Sequence, residues 1–129
     1  MTHTLTYNSD LHFLELKVQE TLLLSEVRQI ISESVQLVRK HNCFLILSDY
    51  RDATLNLSTF EIYEIPKIIV EIFTGSGLSA SKVKRALLVA VVAKDLKDFS
   101  FLETVTINRM QNAKIFQDFD RAKKWLLEK

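Results

Sequence analysis

Residues 24–52 read LSEVRQIISESVQLVRKHNCFLILSDYRD, and this stretch decides the fold. Its first part carries Val27, Ile30, Ile31, Val35 and Val38 at helical spacing, while Arg28, Glu33 and Lys40 fall on the opposite side. One apolar stripe with polar flanks predicts an amphipathic helix. Ser25 is placed to cap it, and Glu26 in the first turn suits the positive end of the helix dipole. Arg39, Lys40 and His41 sit where cations are favoured, and Asn42 is a natural stop. Directly after it, Cys43 to Leu47 is an unbroken apolar run of strand length. A strand with no polar alternation is covered on both faces or lies at the centre of a sheet. The run ends in Ser48-Asp49-Tyr50-Arg51-Asp52, polar residues leaving the strand's carboxyl end.

Upstream, Leu5 and Tyr7 alternate with Thr4 and Thr6, and His12, Leu14, Leu16 and Val18 alternate with Phe13, Glu15 and Lys17. Two period-two runs joined by the turn-forming Asn8-Ser9-Asp10 predict an antiparallel hairpin, with Leu14, Leu16 and Val18 facing the core. Downstream, Ser58-Thr59-Phe60-Glu61 is a capping box opening a second helix with Ile62, Ile65, Ile69 and Ile72 on one stripe. Pro66 falls inside that helix, where it removes a donor and predicts a kink or break. Residues 74–81 read as a loop and Arg85 to Ala93 as a buried strand. A helix follows over about residues 98–110 with Phe101, Leu102 and Val105 inward, then a short strand at residues 114–117. Asp118 caps a final helix burying Phe119, Ala122, Trp125 and Leu126. After the hairpin, strands and helices alternate, which favours parallel pairing through right-handed crossovers. The expectation is a single α/β domain over residues 1–129, with a mixed, mostly parallel sheet of about five strands and about four helices.

Composition excludes several classes of function. The 129 residues carry 17 Lys and Arg against 16 Asp and Glu, with the signs interleaved, so the basic face a nucleic-acid binder needs is not expected. One Cys removes any multi-cysteine metal site or internal disulfide, and His3, His12 and His41 have no ligand spacing, so no metal or cofactor is expected. Cys43 reads as a small buried hydrophobe with no base beside it. The longest apolar run, Ala86 to Ala93, falls far short of the ~20 residues that span a bilayer. With no secretory leader at Met1-Thr2-His3-Thr4, cytoplasmic residence is the expectation. Gly75-Ser76-Gly77 is no phosphate loop, because Ser81 rather than Gly precedes Lys82 and the segment leads from helix to strand.

Four stretches together resemble one family: the hairpin running into Leu24-Ser25-Glu26, the strand end Ile46 to Ala53, the strand Ala86 to Val92, and the ending Ile115-Phe116-Gln117-Asp118 with Ala122 and Trp125-Leu126. The chain resembles the SpoIIAA-like branch of the STAS domains (sulfate transporter and anti-sigma factor antagonist), which are often grouped with lipid-binding CRAL-TRIO domains. The resemblance implies a STAS-like fold and a domain that binds without catalysis. In the antagonists a Ser at the start of the second helix is phosphorylated to control docking, and Ser58 or Thr59 occupies that place. The antagonists' Asp-Ser-x-Gly-Leu signature is absent, and Leu57-Ser58-Thr59-Phe60-Glu61 stands instead.

The candidate contact residues follow from position. Asp49, Tyr50, Arg51 and Asp52 leave a central strand at the edge where α/β sheets hold ligands. The plainer reading pairs Arg51 with its acidic neighbours in a solvated loop. Phe60 and Tyr63 flank the entrance of the second helix. No catalytic residue is expected. The leading expectation is a non-catalytic regulatory module that meets a protein partner through the second helix and the preceding loop. The alternative is a carrier or sensor of a small apolar or anionic ligand, lipid included, held between that helix and the sheet. A mostly apolar pocket of at least ~300 Å³ would favour the carrier.

Overall fold

The computed structural model describes residues 2–94 and 112–128. The chain opens with β1 (Thr2–Asn8) and β2 (Phe13–Leu22), followed by α1 (Leu24–His41) and β3 (Leu45–Leu55). Next come α2 (Thr59–Gly75), α3 (Ala80–Ala86) and β4 (Leu88–Val92), and after them β5 (Asn112–Phe116) and α4 (Phe119–Leu127). The sheet order is β1-β2-β3-β4-β5. β1 and β2 pair antiparallel and every other neighbouring pair is parallel. The expected mixed α/β sheet with an N-terminal hairpin is therefore the observed one. The helix expected over residues 98–110 lies outside the described residues.

Alternation along the strands sorts the core into two layers. Leu14, Leu16, Val18 and Ile46 pack under α1 and α2. Phe13, Leu47, Ala90 and Val92 face the other way, against Ala122 and Leu126 of α4. The hairpin's remaining face, with Thr4, Thr6, Lys17 and Gln19, is exposed, as one side of an antiparallel ribbon commonly is.

Several boundaries depart from the sequence reading. Helix α1 starts two residues early: Leu23 holds the N-cap place and no side chain caps it, so Ser25 is already inside the first turn. At its other end Asn42 is left-handed (φ 48°, ψ 47°), as a helix stop requires. Strand β3 starts at Leu45 and continues through the polar segment to Leu55, because β2 runs alongside it as far as Leu22. The pairing steps from Lys17 opposite Asp49 to Gln19 opposite Asp52, so β3 carries one extra residue, a bulge beside Val18. Pro66 does not break α2, which is continuous from Thr59 to Gly75 with Pro66 buried. Residues 80–86, which overlap the end of the expected loop at 81 and the start of the expected strand at 85, form α3. Ser79 caps that helix by accepting the Lys82 N–H at 3.1 Å, and Val83 anchors it in the core. Strand β4 begins where the Leu88 N–H reaches the Phe44 carbonyl at 2.9 Å.

Candidate functional site

The polar segment after the apolar half of β3 is strand rather than loop, and this separates its side chains. Asp49 is 5% exposed and holds Arg51 through three hydrogen bonds. Arg51 Nε donates at 2.9 Å, Nη2 at 2.8 Å and the Arg51 backbone N–H at 3.1 Å. Burial pushes the Asp49 carboxyl up, but the hydrogen bonds and charge of Arg51, with Lys17 adding to them, outweigh it and hold the carboxyl below its usual range. The Arg51 guanidinium also lies 5.3 Å from the centre of the Phe119 ring on α4. Asp52 pairs separately with Lys17 at 3.7 Å. Arg51 is thus committed to Asp49, and the four residues do not converge on one ligand position. Tyr50 belongs to the opposite layer, under α1 and α2, where it shares the cavity wall with Ser48. Tyr50 as a whole is half-buried, and burial of its hydroxyl pushes that group up to about 12.

Helix α2 carries the remaining expected residues on its first turns. Its capping box is complete: Ser58 Oγ accepts the Glu61 N–H at 3.1 Å and the Glu61 carboxylate accepts the Ser58 N–H at 2.8 Å. Ser58 and Thr59 are both exposed. A phosphoryl group on Ser58 would meet the helix dipole favourably but the Glu61 carboxylate unfavourably. Phe60 is 72% exposed and Tyr63 43%, one helical turn apart on the same side. Leu23, 41% exposed, follows the carboxyl end of β2, where the Asn56 N–H bonds the neighbouring Leu22 carbonyl at 3.0 Å. The inward side of α2 is apolar, and Pro66 belongs to it rather than to the exposed strip.

Between α1, α2 and the sheet lies a cavity of about 120 Å³. Val27, Ile30 and Ile31 wall it from α1, Ile62, Ile65 and Ile69 from α2, and Ile46, Val89, Val91 and Ile115 from the strands. Ser34, Ser48 and Tyr50 supply its hydroxyls, and no charged residue is among the described lining residues. The space lies where the carrier expectation placed it. It is smaller than that expectation required, and its uncharged wall gives an anionic ligand no partner among the described residues. The α1 contribution went unread in the sequence, where Ile30, Ile31 and Ser34 look like any amphipathic stripe.

The histidines are placed by the hairpin and α1. His12 Nδ1 lies 2.6 Å from the Tyr7 hydroxyl, while His41 stacks on the face of the Tyr7 ring with centroids 3.8 Å apart. His3 Nε2 lies 3.1 Å from both carboxylate oxygens of Glu33. Among the described residues no group of three or more His, Cys, Asp or Glu is placed to hold a metal ion. Cys43 is buried, and burial pushes its thiol up despite backbone hydrogen bonds. That keeps it protonated and poorly nucleophilic. No helix among the described residues is long and apolar enough to cross a membrane.

No family model matches the chain, and no curated protein matches it. The chain is similar in structure to an uncharacterized protein of the DUF3478 family from Shewanella loihica PV-4, described as having a SpoIIAA-like fold. The two share 15% identity and superpose with a TM-score of 0.56 over 97% of this chain and 92% of that one. At that identity the likeness carries the architecture and nothing of the chemistry. The order of its strands and the placing of its helices give this chain a SpoIIAA-like α/β fold.

Proposed function

We propose that this protein is a non-catalytic, cytoplasmic regulatory module that docks a protein partner on the first turns of α2. The observation that carries the reading is the pair Phe60 and Tyr63, exposed on one side of a helix whose opposite side is anchored in the core. Aromatic side chains are enriched at protein contacts, and burying a Phe gains about 1.5–3 kcal/mol. The capping box holds the helix start rigid, so little order has to be gained on docking. Ser58 and Thr59 immediately precede Phe60, so any modification there would change the charge of the contact.

The test is photo-crosslinking in the protein's own host, with a benzophenone amino acid at position 60 or 63 and a control at the exposed Arg28. Positions 60 and 63 should trap the same partner and position 28 should not. The double variant Phe60→Ser with Tyr63→Ser should then weaken the purified complex at least about tenfold, with an unchanged circular dichroism spectrum. Identical adducts from all three positions, or unchanged affinity of the double variant, would remove the basis of the reading.

A further inference from the structure

We infer that the cavity between α1, α2 and the sheet is a binding site for a small, uncharged, mostly apolar molecule that carries one hydrogen-bond donor. This inference goes beyond the docking of a protein on the outer side of α2, because it concerns the inner side of the same helix.

Size sets the first limit. Protein interiors are packed densely enough that voids larger than a water molecule are few. A cavity of about 120 Å³ is close to the ~150 Å³ engineered space that stays dry and takes up benzene. The fitting ligand is a single ring or a short branched chain rather than a long acyl tail.

Charge sets the second limit. The wall is mostly Ile, Leu and Val side chains, and none of its described residues is charged. An ionised ligand would lose its hydration there without gaining a counter-charge from the described wall, so carboxylates and ammonium groups are disfavoured.

The hydroxyls set the third. Ser34 lies on α1 inside the wall, 5% exposed, and donates its proton to the Ile30 carbonyl at 2.7 Å. A serine oxygen whose proton is spoken for still accepts through its remaining lone pairs. The complementary group on the ligand is therefore a donor, a hydroxyl or an N–H. Ser48 and Tyr50, two positions apart on β3, add two further hydroxyls to the facing wall and no charge.

The experiment uses the full chain with its isoleucine methyl groups labelled and NMR titrations with toluene, phenol and benzoate. Toluene and phenol should shift the Ile30, Ile62 and Ile69 methyl signals saturably, and benzoate should not. Ser34→Ala should weaken phenol about fivefold and leave toluene unchanged, the effect of one lost hydrogen bond. Ala113→Leu, at a position on the cavity wall, should abolish both titrations by filling the space. If that variant does not fold, Ile69→Phe fills it from α2. Absence of saturable shifts with either neutral probe would overturn the inference. So would benzoate binding as tightly as phenol, phenol affinity unchanged in Ser34→Ala, or full binding retained by a folded cavity-filling variant.

Discussion

Asp49 and Arg51 stand two positions apart on β3 and form an unequal pair. The Asp49 side chain is buried, whereas the Arg51 side chain is 44% exposed, so removing one partner has different consequences from removing the other. Without Asp49 the guanidinium still reaches water; without Arg51 the carboxylate stays buried, with only the residue 51 N–H left to it among the bonds described above. Arg51→Ala should therefore destabilise the fold by about 2–3 kcal/mol and Asp49→Ala by about 1 kcal/mol, read by urea unfolding at neutral pH. The sign of the pH dependence follows from the lowered Asp49 carboxyl. Its stabilisation is fully present above the usual value of 3.8 and is lost as pH falls through the lowered one. Asp49→Asn should flatten the acid side of the stability profile. Equal losses from the two Ala variants would show that the pair is solvated after all. The composition of this segment was legible as acids around one Arg. Its geometry was not, because a polar run on a central strand reads as a loop until the neighbouring strand is known.

The helices differ in how much of their start is local. The Ser58 and Glu61 bonds of α2 lie within four consecutive residues, so they could be read directly from the sequence. Ser58→Ala should cost about 1 kcal/mol in thermal or urea unfolding. Ser25→Ala should change stability by less than about 0.5 kcal/mol, since α1 begins at Leu24 without a side-chain cap. A comparable loss at both sites would mean that Ser25 caps α1 in solution. The β2–α1 junction is set by tertiary demands: Leu22 is buried in the core, and the Val27 N–H and the Glu26 N–H both bond the Leu23 carbonyl at 3.0 Å. Helix α3 was missed for a related reason. Seven residues give little periodicity to read, and it takes Val83 entering the core to hold them helical.

Across the whole molecule the two faces of the sheet are packed differently. Under α4, Leu47, Ala90 and Val92 meet Ala122 and Leu126, all of them buried. Under α1 and α2 the sheet faces the cavity. Leu47→Ala should cost about 3–4 kcal/mol, because the sheet and α4 surround that side chain. Ile69→Ala, at the edge of a space that is already open, should cost about 1–2 kcal/mol. A larger loss at Ile69 than at Leu47 would mean that the cavity is filled in solution, by side chains or by a resident molecule. Which of the two could then be read by denaturing mass spectrometry of gently purified protein.

By itself the sequence determined the periodicities: a hairpin, an amphipathic helix, a buried strand and a capped second helix, in an order that admits a mixed α/β sheet. These are properties of residues near one another in the chain, so spacing alone encodes them. It also determined that Phe60 and Tyr63 share one side of α2. Only the tertiary structure decided that residues 48–52 pair as strand, that Arg51 is held by Asp49, and that α1, α2 and four strands leave a cavity beside Ser34. Pairing partners and unfilled volume depend on segments far apart in sequence and on how closely their side chains fit. No local pattern records that fit.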